Sequence, residues 1–294
     1  MNGLLVLDKP AGMTSHDVVA LVRRVTGERS IGHLGTLDPM ATGVLPLLLG
    51  RYTRLAQFFG TAEKEYTGAM RFGHATDTYD AEGEATTEER PLGCSFDELR
   101  VLAEGFLGEQ DQLPPIYSAK KINGVPAHKL ARAGAEVPVK AARVTVHAFV
   151  LTAFDAENAE VEFSMRISAG GYVRSVAHEM GQRAGCGAYL ASLRRTVAGP
   201  FTLVDAVTVE ALKALAGDEE GIVGLLPHPR TLLPAMPCVT VDERVAGQLR
   251  NGMQVNLPEF GDAPLVKAFT GPAELLGVAR RIAGTLMQPM VVLG

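Results

Sequence analysis

The sequence predicts an α+β protein: a mixed, mostly antiparallel sheet with flanking helices, followed by a small β-rich C-terminal module. Three observations carry that expectation. Residues 159–168 alternate, with Val161, Phe163, Met165 and Ile167 on one face and Glu160, Glu162, Ser164 and Arg166 on the other, the period of a strand with one buried side. Helical segments with good start signals lie among the strand-like runs; Ser95-Phe96-Asp97-Glu98 is a capping box ahead of Leu99, Leu102 and Phe106. The proline-rich stretch LLPHPRTLLPAMP marks a boundary near residue 234, and beyond it short apolar runs are broken by Gly and Pro, as in a small β module. The expected division is therefore residues 1–234 and 235–294.

Leu4–Leu7 reads as a short strand ending at Asp8-Lys9-Pro10. A helix follows, with Thr14 or Ser15 as N-cap, Asp17 near its positive end, and Val18, Leu21, Val22 and Val25 on one face; Gly27 is placed to end it. Val44–Leu49 is an apolar run in which Pro46 predicts an edge or irregular strand. Tyr66, Gly68, Met70 and Phe72 alternate with their neighbours as a strand with one inward face. Thr76–Arg90 is polar and reads as a loop. Asp77 and Asp80 there invite a metal hypothesis, but the spacing is not that of a calcium loop.

Val144–Phe154 pairs with the alternating strand across the Asp155–Asn158 turn. That strand runs into GGYVRSVAHEMG, where Ser175 can cap a helix burying Val176, Ala177 and Met180; Tyr172 and Arg174 then stand at a strand-to-helix junction. Further helices are expected at Val209–Leu215 and Glu243–Arg250. The terminal module draws its strands from Val239–Val241, Val255–Leu257, Leu265–Ala268 and Met290–Leu293.

The stretch most suited to chemistry is residues 29–50, RSIGHLGTLDPMATGVLPLLLG. Asp38 sits between Leu37 and Pro39, with Gly32, Gly35 and Gly43 around it. A carboxylate in a glycine-rich turn beside apolar sequence suits a site, although Asp-Pro is also an ordinary turn signal. The residues alone leave both readings open.

GHLGTLDPMATGVLPLLLG resembles the catalytic motif of the TruB family of RNA pseudouridine synthases. The resemblance implies isomerisation of uridine to pseudouridine in the T loop of tRNA (position 55), with Asp38 as the catalytic residue and His33 holding the RNA loop once the base has left. Lys9-Pro10-x-Gly12-x-Thr14-Ser15 resembles the family's first motif, which shapes the floor beside the catalytic loop and places Lys9 among the RNA-binding residues. KEYTGAMRFG is similar to its Lys-x-Tyr motif, giving Tyr66 a place against the target base and Lys64 a supporting one. GGYVRSVAHEMG resembles the third motif, in which Arg174 pairs with the aspartate and Tyr172 supports the site. LPPIYSAKKINGVPAHKLARAG is similar to the stretch lining the RNA cleft, and with LASLRRTVAGPF it implies RNA contacts from Lys120, Lys121, Arg132 and Arg195. The likeness is strong over residues 3–205. His128 stands where tyrosine is usual, and Gly171 where threonine is common. LRNGM (Leu249–Met253) is a faint match to the PUA-like module found at this position in relatives.

The implied reaction breaks the N-glycosidic bond, turns the uracil and joins C5 to C1′ of the same ribose, so neither cofactor nor metal is required. A carboxylate can stabilise positive charge at C1′, attack it, or attack the base; the sequence does not choose among these. The uracil must be flipped out of its loop to be reached.

The formal charge is −5, but residues 114–147 carry a net +5, residues 166–200 a net +4 and residues 61–113 a net −9. If the basic segments converge they form a phosphate-binding field; if not, they are solvated faces. Residues 242–281 are balanced, with five charges of each sign. Cys94, Cys186 and Cys238 are far apart and form no CxxC metal site. With no leader-like opening and no membrane-length apolar run, a cytoplasmic monomer with tRNA as partner is expected. Three other readings compete: a carboxylate-based hydrolase, with Asp8 or Asp17 as a second acid, a tRNA-folding protein without catalysis, and a pseudouridine synthase acting on another folded RNA.

Overall fold

The computed structural model describes residues 1–118, 140–257 and 262–294, together with the backbone of 121–122 and 125–126. The expectations placed on Lys120, His128 and Arg132, and on the side chain of Lys121, lie outside the described residues.

Strand β1 (Gly3–Lys9) leads into helix α1 (Ser15–Thr26), capped by Thr14, whose Oγ1 accepts from Asp17 N at 3.0 Å. Gly27 ends it in the left-handed conformation, φ 70°. The next strands are β2 (Ile31–His33), β3 (Thr42–Leu49) and β4 (Lys64–Phe72). Helix α2 (Phe96–Glu104) opens on the expected capping box at Ser95, and β5 (Gly108–Gln112) follows. After a short ribbon of β6 (Lys121–Ile122) and β7 (Val125–Pro126), β8 (Ala142–Asp155) and β9 (Glu160–Ile167) form the expected hairpin. Helix α3 (Val173–Ala184), β10 (Ala188–Ala198), β11 (Phe201–Thr202) and β12 (Val207–Thr208) complete the first sheet, and α4 (Val209–Ala214) and α5 (Glu219–Gly224) follow.

Among the described residues the sheet runs β12-β1-β3-β10-β4-β9-β8-β5, with β2 on β3 and β11 on β10. The β3–β10 and β1–β12 pairs are parallel and the others antiparallel. β1 and β3 are buried on both faces, which is why they read as continuous apolar runs. Leu5, Leu7, Leu45 and Leu47 face α1, α2 and α3 in one core. Leu4, Val6, Val44 and Leu48 pack with Leu232, Phe269, Val278 and Val291 in a second.

Two expectations are corrected here. Pro46 does not mark an edge: β3 lies inside the sheet, with Val6 opposite Pro46. A strand residue points its N–H and C=O to the same side, and Pro46 O accepts from Leu34 N at 2.9 Å on the β2 side. The missing donor therefore falls where β3 changes partner from β10 to β2, and the β1 ladder never needs it. Nor does Ser175 cap α3, which begins two residues earlier with Tyr172 as N-cap. Ser175 instead donates from Oγ to Leu113 O at 2.7 Å.

The second sheet has the order β13-β15-β16-β17-β14: β13 (Cys238–Thr240), β15 (Leu265–Thr270), β16 (Glu274–Ala283), β17 (Leu286–Val292) and β14 (Val255–Asn256). Helix α6 (Glu243–Arg250) covers it, with Ala246 and Leu249 meeting Val239 and Val266. This sheet shares the second core with β1 and β3. Arg51 and Arg54 also donate to Leu293 O and Val292 O, at 2.8 and 2.7 Å. The ammonium of the buried Lys267 holds Arg230 O and Leu232 O of the connecting segment.

Candidate active site

The turn bearing Asp38 is held from both sides. Ser15 Oγ accepts from Leu37 N at 2.9 Å and donates to Leu37 O at 3.1 Å. Beyond Asp38, Pro39 O accepts from Gly12 N at 2.9 Å and from Lys9 Nζ at 3.1 Å. Thr14 and Ser15, alternatives for the cap in the sequence, thus divide the work: one caps the helix and the other clamps the loop.

Lys9 is fully buried, and its ammonium also donates to Pro10 O and Met13 O, at 2.9 and 2.6 Å. All three of its donors are used within the protein. Burial pulls its pKa down to about 8, against the attraction of Asp38. Lys9 is therefore not an RNA-facing residue, and its expected role is corrected to bracing the turn.

Arg195 is held as firmly, but it stands in the wall of the cleft that holds Asp38. It is 1% exposed and donates from Nε to Val44 O at 2.7 Å and from Nη2 to Gly35 O at 3.1 Å. Gly43, at φ 101°, lets β3 approach it: a Cβ there would lie 2.2 Å from Arg195 O.

Arg174, in the first turn of α3, reaches the carboxylate. Its Nη2 donates to Asp38 Oδ1 at 3.0 Å and its Nε lies 2.9 Å from Oδ2. The same guanidinium donates to Thr78 O at 2.9 Å and to Tyr117 O at 3.0 Å, and Nη1 stands 3.4 Å from Asp80 Oδ2. One cation thus lies between two carboxylates, of which only Asp38 opens toward solvent: its side chain is 32% exposed, against 4% for Asp80 and 5% for Arg174. Burial pushes the Asp38 carboxyl above the ordinary range; Arg174 pulls it down and Asp80 pushes it further up.

These groups line a cleft of about 470 Å³ whose walls include Lys64, Tyr66, Tyr172 and Leu193, a size that suits a small ligand or a single nucleotide. Tyr66 lies on β4 opposite Arg195 of β10 and is buried against the main core. Lys64 Nζ donates to Ala62 O at 2.6 Å, and burial lowers its pKa. Tyr172 is fixed through its backbone: its N donates to Gln112 Oε1 at 2.7 Å and its O accepts from Gln112 Nε2 at 3.0 Å. Gly171 faces Ile167, whose Cδ1 would lie 2.3 Å from a Cβ at that position; the isoleucine fills the space a larger residue would need.

The structure therefore brings Asp38, Lys64, Tyr66, Tyr172, Arg174 and Arg195 to one cleft. His33 stands outside the lining, half-buried at the end of β2 opposite Leu47 and edge-on to His16 at 6.0 Å. Burial, then His16 and Arg195, lower its pKa. Sequence reasoning missed Ser15 as a clamp, Gln112, and Asp80 as the second anion on Arg174; the dense polar run around Asp77 and Asp80 was the available signal for the last.

The arginines counted as a basic segment are largely engaged within the protein. Arg166 pairs with Glu63, Arg183 with Glu179, and Arg194 grips Asp8 at 2.7 and 3.1 Å. Arg143 meets Glu109 and Asp111. The net +4 of residues 166–200 is thus not a free phosphate-binding face. Asp8, taken by Arg194, and Asp17, in the capping box of α1, are also removed as second acids for a hydrolase.

A buried arginine aiming one solvent-open carboxylate into a nucleotide-sized cleft, on a mixed sheet with a second β sheet behind it, is the arrangement of an enzyme site rather than of a passive binding surface. The chain belongs to the TruB family: residues 23–173 match the model of the TruB family pseudouridylate synthase N-terminal domain, and residues 174–235 that of the tRNA pseudouridylate synthase B C-terminal domain. It is 43% identical over 296 residues to the tRNA pseudouridine synthase B of Solibacter usitatus, covering 100% of both chains. With that of Cupriavidus metallidurans it shares 39% identity over 302 residues, covering 99% of this chain and 94% of the relative. Among solved structures it resembles a chain of the archaeal box H/ACA sRNP Nop10–Cbf5 complex, at 26% identity and a TM-score of 0.69, covering 99% of this chain and 86% of that one. A chain of a Cbf5–Nop10–Gar1 complex gives 25% identity and a TM-score of 0.71, covering 99% of this chain and 85% of that one.

Proposed function

We infer that this protein converts uridine to pseudouridine in tRNA, at the T-loop uridine of position 55, with Asp38 as the reacting carboxylate. The observation that carries the reading is the Asp38–Arg174 pair, in which the arginine is sealed in and the aspartate keeps an open side toward the cleft. A guanidinium held by Thr78 O and Tyr117 O cannot swing away, so it keeps the carboxylate aimed without reorganisation during the reaction. The flipped uracil packs on Tyr66 and the apolar wall at Leu193, and Tyr172 closes the other side of the cleft. The N1–C1′ bond breaks, the base turns, C5 bonds to C1′, the C5 hydrogen leaves as a proton and N1 takes a proton up, so the isomerisation balances without a redox partner.

Family membership over the length of the chain and a cleft containing the aspartate, tyrosine and arginine of the family motifs support this reading over a tRNA-folding protein without catalysis. Asp80 does not supply the second acid of a hydrolase, because it lies behind Arg174 and is 4% exposed. The test is incubation of purified protein with unmodified tRNA and position-by-position mapping of pseudouridine. One modified uridine in the T loop is expected. tRNA binding without any pseudouridine would favour the folding protein, and pseudouridine elsewhere would overturn the assigned position.

A further inference from the structure

Arg174 takes two of its contacts, Thr78 O and Asp80, from the 76–90 segment, whose strand-like pairing is confined to single bridges, Thr76 with Ala85 and Asp80 with Leu190. Between these two contact residues stands Tyr79, at φ +65°. A side chain in the left-handed region crowds its own backbone, and such a conformation persists where its surroundings over-determine it. Part of that determination is backbone: Tyr79 N donates to Thr76 O at 3.3 Å, and Tyr79 O accepts from Leu190 N at 3.0 Å. The other part is the ring, which lies on the imidazole of His178 with centroids 3.8 Å apart and planes 14° from parallel.

His178 is one helical turn beyond Arg174 on α3, at the spacing that puts two side chains on one face. That face therefore meets three consecutive residues: Arg174 holds residues 78 and 80, and His178 holds residue 79. Of the polar atoms of His178 only Nε2 is engaged, and that within its own helix. Its Nδ1 is buried without a hydrogen-bond partner among the described residues, and its Nε2 has Gln182 Nε2 at 3.0 Å. Its flat face is what the fold uses.

We propose that the Tyr79–His178 stack is a positioning device for the catalytic pair: it pins the residue between the two anchors of Arg174, and so sets where the guanidinium holds Asp38. Neither residue lines the cleft, so both act through Arg174. The proposal rests on the assignment of Asp38 as the reacting carboxylate.

The experiment measures single-turnover tritium release from C5-labelled uridine in tRNA, alongside the tRNA Kd and the melting curve of each variant. Tyr79→Ala, Tyr79→Gly and His178→Ala are each expected to slow the reaction about ten- to a hundredfold, the range a displacement of about 1 Å produces. The tRNA Kd should stay within about twofold, and Tyr79→Phe, which keeps the stack, should restore the rate. Tyr79→Ala/His178→Ala should be no slower than either single variant, because both remove one interaction. Glycine adopts a positive φ freely, so Tyr79→Gly keeps the test sound if Tyr79→Ala fails to fold. A parental rate in Tyr79→Gly, multiplying losses in the double variant, or a changed Kd with an unchanged rate would each overturn the proposal. Asp38→Asn is run in parallel. If it still reacts, the assignment of the site falls and takes this proposal with it; if it is inactive while the Tyr79 series is unaffected, only the stack is wrong.

Discussion

Replacing Arg174 by methionine tests the electrostatics of the site. Methionine keeps much of the side-chain length and leaves two carboxylates without their shared cation. Removing one partner of a buried ion pair costs about 3–5 kcal/mol. Asp80 bears most of that, since its side chain is 4% exposed, whereas Asp38, at 32%, can rehydrate in part. Thr78 O and Tyr117 O also lose their donor, so the expected loss is about 4 kcal/mol. For a protein of this size that lowers Tm by roughly 6–7 °C. The aiming of Asp38 is lost as well, and tritium release from C5-labelled tRNA should fall by about 10²–10³-fold. Arg174→Met/Asp80→Asn then separates the two effects: neutralising the stranded buried carboxylate should recover about half of the lost Tm and none of the rate. A melting temperature for Arg174→Met within about 2 °C of the parent, against that expected 6–7 °C, would refute the argument that the guanidinium neutralises Asp80. So would an Asp80→Asn change that recovers no stability in that background.

Other expectations follow from the same contacts. Asp38→Asn should abolish tritium release while leaving the tRNA Kd nearly unchanged, since size is kept and the carboxylate removed; gel-shift titration with single-turnover kinetics checks both. Activity should decline as pH rises through about 8, where Lys9 loses the proton that serves its three carbonyls. Between that value and the ordinary lysine value of 10.5 the unfolded chain binds more protons than the folded one, so by linkage stability rises with pH across the window; a pH–rate profile paired with melting curves should show rate and Tm moving oppositely. Ser15→Ala should cost about 2 kcal/mol and slow the reaction, because one buried hydroxyl serves both polar groups of Leu37, as read by urea unfolding. Gly43→Ala should cost about 3 kcal/mol or more, given φ 101° and a Cβ 2.2 Å from Arg195 O; expression and thermal melting report it.

The local elements were legible in the sequence because short-range physics determines them. The alternation at Val161–Ile167, the Thr14 and Ser95 caps and the Gly27 stop all recur in the structure at their expected places. The residues of the cleft were legible for another reason: Asp38, Tyr66 and Arg174 sit in motifs dense enough to resemble one family. Tertiary structure decided what each charge does. Lys9 and Arg195 read as surface cations, since nothing local marks a cation for burial; both are sealed against backbone carbonyls contributed by other elements. Pro46 read as an edge or irregular strand because a missing N–H is a local fact, whereas the side of the strand that lacks a partner is set by the order of β1, β2 and β10. Asp80 could not be recognised as a partner of Arg174, 94 residues later in the chain, until the 76–90 segment was laid against α3. Periodicity and capping act over a few residues and are written in sequence. Charge pairing acts through space, and its outcome depends on which buried groups the fold brings within about 3–4 Å of one another.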